Sequence, residues 1–256
     1  MKKIYKYLLN TLPRPLLIRL SYVFKIFAPI LYKGNKVECP VCEKSFSKFL
    51  SYGSEVAHRE NVLCPYDLTL ERHRLMWLYL KNESDFFIAK QLNVLHIAPE
   101  QCFIQLFKKQ QNLNYLTGDL ESPIADIHFD LHQIPLEDNR FDVVFCNHVM
   151  EHVEDPIQCM KEIYRVMKPG GWAIMQVPQD MSRATTYEDL SITTPAEREK
   201  HFWQKDHVRL FGRDYPQWLE KAGFNVAIYD TKQKFDPTVI QKYRLLKDEL
   251  LYIARK

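Results

Sequence analysis

Apolar positions in the second two thirds of the chain follow two alternating periods. Short apolar runs bounded by Gly, Pro, Asn or Asp mark buried strands, and apolar residues three and four apart mark helices. Val94, Leu95 and Ile97 read as a first strand, stopped by Pro99, which has no N–H for a ladder. Phe103, Ile104, Leu106 and Phe107 then share one face of a helix over 101–110. Strands follow at 113–117, 125–129, 141–146 and 172–177. The run at 141–146 is near-continuously apolar and so belongs at the sheet centre. Before 172–177 lies a helix with full start signals: Asp155 as cap, Pro156 at the first helical position and Gln158 closing a capping box. Ile157, Met160, Ile163, Tyr164 and Met167 keep its spacing until Lys168-Pro169-Gly170-Gly171 ends it. A helix over 215–221 closes at Gly223. No crossover helix is marked between the last strands, 225–229 and 250–253, which predicts an antiparallel edge pair. Strands alternating with helices give an α/β class with a largely parallel sheet, whose ligands bind at the strand C-termini.

The first third is patterned differently. Residues 1–36 are basic and aromatic, with Lys2, Lys3, Lys6, Arg14, Arg19 and Lys25 among Tyr5, Tyr7, Tyr22, Phe24 and Phe27. A helix over 16–31 places Leu17, Leu20, Phe24 and Phe27 on one side, suited either to the protein's own core or to a membrane surface. Residues 37–68 hold Cys39-Pro40-Val41-Cys42 and Cys64-Pro65-Tyr66-Asp67, a ribbon-like pair of turns with an aspartate in the fourth place. C-x-x-C points two thiolates at one centre, so Cys39, Cys42, Cys64 and Asp67 are the predicted zinc ligands, with His58 or His73 as substitutes for the aspartate. A ribbon without metal and a redox C-x-x-C are the competing readings, the last lacking a surrounding βαβ pattern. Residues 69–89 form a linking helix with Thr69 near its cap, where Arg72, His73 and Arg74 could meet an anionic group.

Composition narrows the field. An apolar fraction of 46% suits an ordinary core, and a net charge of +3 asks for no nucleic-acid partner. No apolar run is long enough to span a bilayer. Pro13, Arg14, Pro15 and Arg19 break the initial apolar stretch, and no small-residue cleavage site follows. The expectation is therefore a cytoplasmic chain without a signal peptide, with the N-terminal helix available for peripheral membrane contact.

The stretch 134–144, Ile-Pro-Leu-Glu-Asp-Asn-Arg-Phe-Asp-Val-Val, is followed by Glu151-His152-Val153 and by Arg165-Val166-Met167-Lys168-Pro169-Gly170-Gly171. Together they resemble, nearly residue for residue, the signature of class I S-adenosylmethionine-dependent methyltransferases of the type 11-like group. The likeness covers residues 90–256. It implies a Rossmann-like seven-stranded sheet of order 3-2-1-4-5-7-6 and S-adenosylmethionine as cofactor. By the same resemblance Asp119, with Leu120 beside it, holds the ribose hydroxyls, Asp130 and Leu131 frame the adenine, and Asn147 and His148 flank the methionine part. The family's glycine-bearing first loop is replaced by His96, Ala98 and Glu100, whose carboxylate could face the cofactor's ammonium. Residues 70–80, 95–100 and 206–214 also resemble a bacterial subgroup that carries a cysteine ribbon, often in surface-polysaccharide settings.

Methyl transfer from a sulfonium needs an in-line nucleophile, so positioning dominates, and a hydroxyl or amine acceptor gains from a base. The polar insertion 179–214 reads as lid and acceptor site. His207 is the first candidate base and His148 the second, with Arg209 binding an anionic acceptor group through its fork. The expected acceptor is a small molecule or saccharide, lipid-linked in the membrane-surface reading. A nucleic-acid methyltransferase and a non-catalytic binding protein are the alternatives; the near-neutral charge argues against the first.

Overall fold

The computed structural model describes residues 14–53 and 58–256, without the side chains of 14, 15, 17–19, 21 and 22. The basic and aromatic residues of 1–13, Lys2, Lys3, Tyr5, Lys6 and Tyr7 among them, lie outside the described residues. The chain divides into two compact units, one drawn from residues up to Leu78 with Phe235–Lys247, the other from Tyr79–Lys234 with Asp248–Lys256.

The first unit begins with helix α1 (Arg14–Leu31). Of its described side chains only Ala28 is buried, while Leu16, Leu20, Val23, Ile26, Phe27, Ile30 and Leu31 are exposed. Two antiparallel hairpins follow, β1 (Lys33–Cys39) with β2 (Lys44–Phe46) and β3 (Leu50–Tyr52) with β4 (Arg59–Leu63). Helix α2 (Glu71–Asn82) starts two residues later than Thr69. The His73 side chain accepts from the Leu70 N–H at 3.0 Å, supplying the returning arm that a Glu gives in a capping box. Arg74, predicted as a possible anion contact, is instead wholly buried. Its guanidinium donates to the carbonyls of Val62, Thr69, Tyr243 and Arg244 over the Phe49 ring, which ties the hairpins to α2.

The second unit is built on one sheet. Its elements run β5 (Leu92–Ile97), α3 (Gln101–Lys108), β6 (Leu113–Asp119), β7 (Ile127–His128), β8 (Phe141–Cys146), α4 (Pro156–Val166) and β9 (Met167–Ile174). The segment 179–214 holds β10 (Tyr187–Glu188), α5 (Pro195–Phe202) and β11 (Arg209–Leu210). Then come α6 (Tyr215–Lys221), β12 (Asn225–Asp230) and α7 (Thr231–Lys234). Helix α8 (Pro237–Tyr243) belongs to the first unit, and β13 (Leu250–Arg255) completes the sheet.

The sheet order is β7-β6-β5-β8-β9-β13-β12, which is 3-2-1-4-5-7-6 in chain rank, as the resemblance implies. All pairs are parallel except those of β13, which runs antiparallel to both β9 and β12. The buried residues Leu95, Ile97, Val144, Cys146, Ile163 and Tyr252 belong to one continuous core. Gly118 is required by space: a Cβ there would come within 2.2 Å of the Phe129 ring.

Local details refine this picture. β7 is two residues long because the Asp126 carboxylate accepts from both the N–H and the hydroxyl of Thr117, occupying the donor a longer ladder needs. The cap of α4 forms, with Asp155 accepting from the Gln158 N–H at 3.0 Å. The return arm does not, since the Gln158 amide donates to the His132 carbonyl. Asp214 precedes α6 without capping it; its carboxylate takes the Thr186 hydroxyl and the Trp218 indole N–H, closing the base of that segment.

Candidate active site

The C-terminal edge of β5, β6 and β8 gathers the residues singled out for the cofactor. After β5 the chain reverses at Ala98, whose φ of 49° is the left-handed form that glycine usually supplies. The turn shape of a glycine loop is thus kept by an alanine. Glu100 then reaches back over the strand end. One oxygen contacts His96 Nε2, and the other accepts from the Asn147 amide at 3.2 Å. His96, expected at the cofactor, is fully buried beneath Glu100. Its Nδ1 lies 2.7 Å from the Tyr115 hydroxyl. Burial pushes the Tyr115 phenol up, so it stays protonated and donates to Nδ1; His96 Nε2 then donates to Glu100. Asn147 is buried too, and its carbonyl accepts from the Gln176 N–H at 3.1 Å, joining the ends of β8 and β9.

Asp119, at the end of β6, accepts at Oδ1 from the N–H groups of Glu121 and Ser122 at 2.9 and 2.8 Å, which fixes the plane of its carboxylate. Leu120 beside it is exposed, and Leu131 is buried. Asp130 is exposed and accepts from the backbone N–H and Nδ1 of His132, bonds that hold it below the usual carboxylate range.

The turn after β8 carries a second constellation. His148 has a φ of 56°, and its Nδ1 stands 3.3 Å from Glu151 Oε1. Glu151 is 1% exposed; burial alone would raise its pKa, but His148 and then His152 bring it below the ordinary value. His207, the first candidate base, is wholly buried. Its Nδ1 bonds the Phe202 carbonyl, and its ring lies edge-on to His152 with centroids 4.7 Å apart. Burial pushes it down, so it is neutral. His148 is half-buried, with Nδ1 toward Glu151 and Nε2 covered, whereas His207 is covered entirely. Arg209 does not offer its fork to an acceptor. It is 3% exposed, and its donors go to Glu188 and to the carbonyls of Met150, Val153 and Glu154. The physical reason is the tight turn 150–154, whose inward carbonyls need a buried donor. Glu151 and His152 read in the sequence only as loop-ordering signature residues; the spacing His148-x-x-Glu151-His152 was the available signal for more.

In the first unit Cys39, Cys42, Cys64 and Asp67 converge, one ligand atom from each lying within 4.8 Å of the others. The two turns are alike. Glu43 N–H returns to the Cys39 carbonyl and Leu68 N–H to the Cys64 carbonyl, and both Glu43 and Leu68 take left-handed φ, 57° and 63°. Asp67 therefore occupies the place of a fourth cysteine in a repeated knuckle. Cys39 Sγ is 3.0 Å from Asp67 Oδ2, and Cys42 and Cys64 sulfurs are 3.9 Å apart. Burial opposes ionisation of Cys39, yet its hydrogen bonds with Cys42, Cys64 and Asp67 hold it well below the ordinary thiol. Burial and the Cys39 charge push Asp67 up to about 6. Such a cluster has more anionic donors than can ionise together, the electrostatics of a site for a cation. His58 is exposed, and His73 Nδ1 is engaged by Leu70.

Comparison with known proteins gives one family match, to a methyltransferase domain over residues 87–175. A demethylmenaquinone methyltransferase of Staphylococcus epidermidis is 38% identical over 116 residues, 43% of this chain and 43% of that protein. A protein described as an uncharacterized 37.1 kDa protein in a transposon of Streptomyces fradiae is 39% identical over 99 residues, 38% of this chain and 28% of its own length. The chain thus spans less than half the length of these curated relatives. Among solved structures, the cyclase SpnF superposes with a TM-score of 0.52 at 13% identity, covering 93% of this chain and 95% of that one, a likeness of fold alone. Residues 87–175 thus match a methyltransferase domain, and they lie within the sheet whose order and signature residues are already described.

Proposed function

We propose that this chain transfers a methyl group from S-adenosylmethionine to an oxygen or nitrogen of a small-molecule or saccharide acceptor. The observation that carries the reading is the pair of oriented carboxylates at the strand C-termini, Asp119 and Glu100. The first is fixed by two backbone N–H groups, the second by His96 and Asn147. The left-handed turn at Ala98 supports the fit of the cofactor to a loop without glycine. Asp119 would take the ribose hydroxyls, Asp130 and Leu131 the adenine, and Glu100 the ammonium of the methionine part. When bound, the cofactor supplies an electrophilic methyl on sulfur. The chain's contribution is to orient the two reactants, with His148 as the candidate base for the acceptor's proton.

The test is calorimetric titration of S-adenosylmethionine into the folded chain. Micromolar binding is expected, weakened by about tenfold or more in Asp119→Ala, as befits loss of a charge-assisted hydrogen bond. Glu100→Gln should weaken it by a similar factor. Well-folded wild type with no detectable binding would sink this reading. Two further parts belong to it. The Cys39, Cys42, Cys64 and Asp67 site holds a structural zinc, supported by the paired knuckles. The exposed apolar side chains of α1 contact a membrane surface, which suits a lipid-linked saccharide acceptor.

A further inference from the structure

We infer that Glu151, His152 and His207 form a second cation site, one that takes a first-row divalent ion of the zinc, cobalt or iron kind. An oxygen ligand, such as a hydroxyl, phenolate or carboxylate, would fill its open positions.

One ligand atom from each residue lies within 4.8 Å of the others. Two ligands bound at about 2.1 Å from one ion can be up to about 4.2 Å apart, so small side-chain shifts suffice. The hydrogen bonds at the two imidazoles are those of a metal site. His152 Nδ1 bonds the Asp206 carbonyl at 3.2 Å, and His207 Nδ1 bonds the Phe202 carbonyl at 2.9 Å. A carbonyl oxygen only accepts, so each Nδ1 carries a proton, which leaves Nε2 as the ring nitrogen available to ligate. Imidazoles that bind metals are oriented by such outer hydrogen bonds.

The second observation is one of missing partners. His207 Nε2 and both Glu151 carboxylate oxygens are buried without a hydrogen-bond partner, in residues 0% and 1% exposed. His148 Nδ1, the nearest donor to this carboxylate, stands 3.3 Å from Oε1 outside hydrogen-bond geometry. Buried acceptors left facing one another are costly, and a cation satisfies all three at once. Two imidazoles and one carboxylate with open positions form the donor set of catalytic zinc and non-haem iron centres.

The ligands are also held in place before any ion arrives. Arg209 binds the Met150, Val153 and Glu154 carbonyls around Glu151 and His152, and Val208 N–H donates to the Glu151 carbonyl at 2.9 Å. A bound ion would sit in the turn after β8, near Asn147 and His148. That placement gives it a role beside the methyl donor only if the methyl-transfer reading holds. Binding of the ion does not depend on it.

The test is Co²⁺ titration of the chelator-stripped full chain, with neither S-adenosylmethionine nor acceptor present. Equilibrium dialysis counts the bound ion, and absorption separates the sites. Cobalt on the cysteine ribbon gives intense sulfur-to-metal charge transfer, whereas cobalt on imidazole and carboxylate gives ligand-field bands alone. An equivalent of the second kind is expected, unchanged in Cys42→Ser and weakened at least tenfold in His152→Ala, a partly exposed position, and in Glu151→Gln. Wild type needs no variant for a further readout: two exchangeable, hyperfine-shifted imidazole N–H resonances should appear, from the two Nδ1 protons. Absence of the sulfur-free equivalent, or its persistence at full affinity in both variants, overturns the proposal. Because cofactor binding is measured separately, loss of one reading leaves the other standing.

Discussion

Glu162 shows how one side chain can organise a signature loop. Its carboxylate accepts from the Ile134 N–H and from Nε and Nη2 of Arg165, while Arg165 donates onward to the Leu136 carbonyl and Asp138. The Arg165 guanidinium holds Glu162 below its ordinary value of 4.5, against the opposing effect of burial. A carboxyl with a depressed folded-state pKa adds stability above its unfolded value and loses it as pH falls through the folded one. Glu162→Gln should therefore cost about 1–3 kcal/mol at pH 7, and the gap to wild type should close as pH drops below 4.5. Thermal melts from pH 7 to 3 read this directly; a gap independent of pH would refute the ion-pair account. Asp119, Asp130 and Asn147 were singled out through the resemblance, and the strands that precede them were readable from their apolar runs. The Nδ1 hydrogen bonds of His152 and His207 and the burial of Arg209 were not. His152 and Arg209 depend on carbonyls supplied by chain segments more than fifty residues away, a pairing that no local pattern encodes, and His207 turns on the Phe202 carbonyl within a segment of no readable periodicity.

At the level of elements, α1 is the least explained by its own unit. Large apolar side chains at Leu20, Val23, Ile26, Phe27 and Ile30 remain exposed, and such an array marks an interaction surface. Full-length chain is expected to float with vesicles containing anionic lipid, and Phe27→Asp combined with Ile30→Asp should abolish flotation without changing the melt of the sheet unit. Flotation unaffected by the pair would remove α1 from the account. The strands were readable from their apolar runs, and Asp155 with Pro156 marked the start of α4. The shortened β7 was hidden because Asp126 acts through its side chain, a competition with the ladder that apolar periodicity does not register.

On the scale of the whole molecule, the two units rest on different sources of order. The sheet unit has a continuous apolar core. The first unit has short hairpins, the buried Arg74 and the convergent cysteines. Metal binding by such small modules is largely folding free energy. Cys42→Ser should accordingly eliminate the ribbon's zinc from metal analysis and remove the first unit's cooperative unfolding step, while the sheet unit's step stays in place. A zinc content of wild type already at zero would contradict this. The sheet itself has one further property. β13 follows β12 in the chain yet lies between β12 and β9. During synthesis, therefore, everything through β12 emerges while β9 still presents an open hydrogen-bonding edge and β12 has nothing to pair with. Open edges recruit other chains. A nascent or refolding molecule passes through a sticky interval that only the last strand ends, so crowding on the ribosome or a pause ahead of Leu250 should raise aggregation more than an equal pause before Phe141.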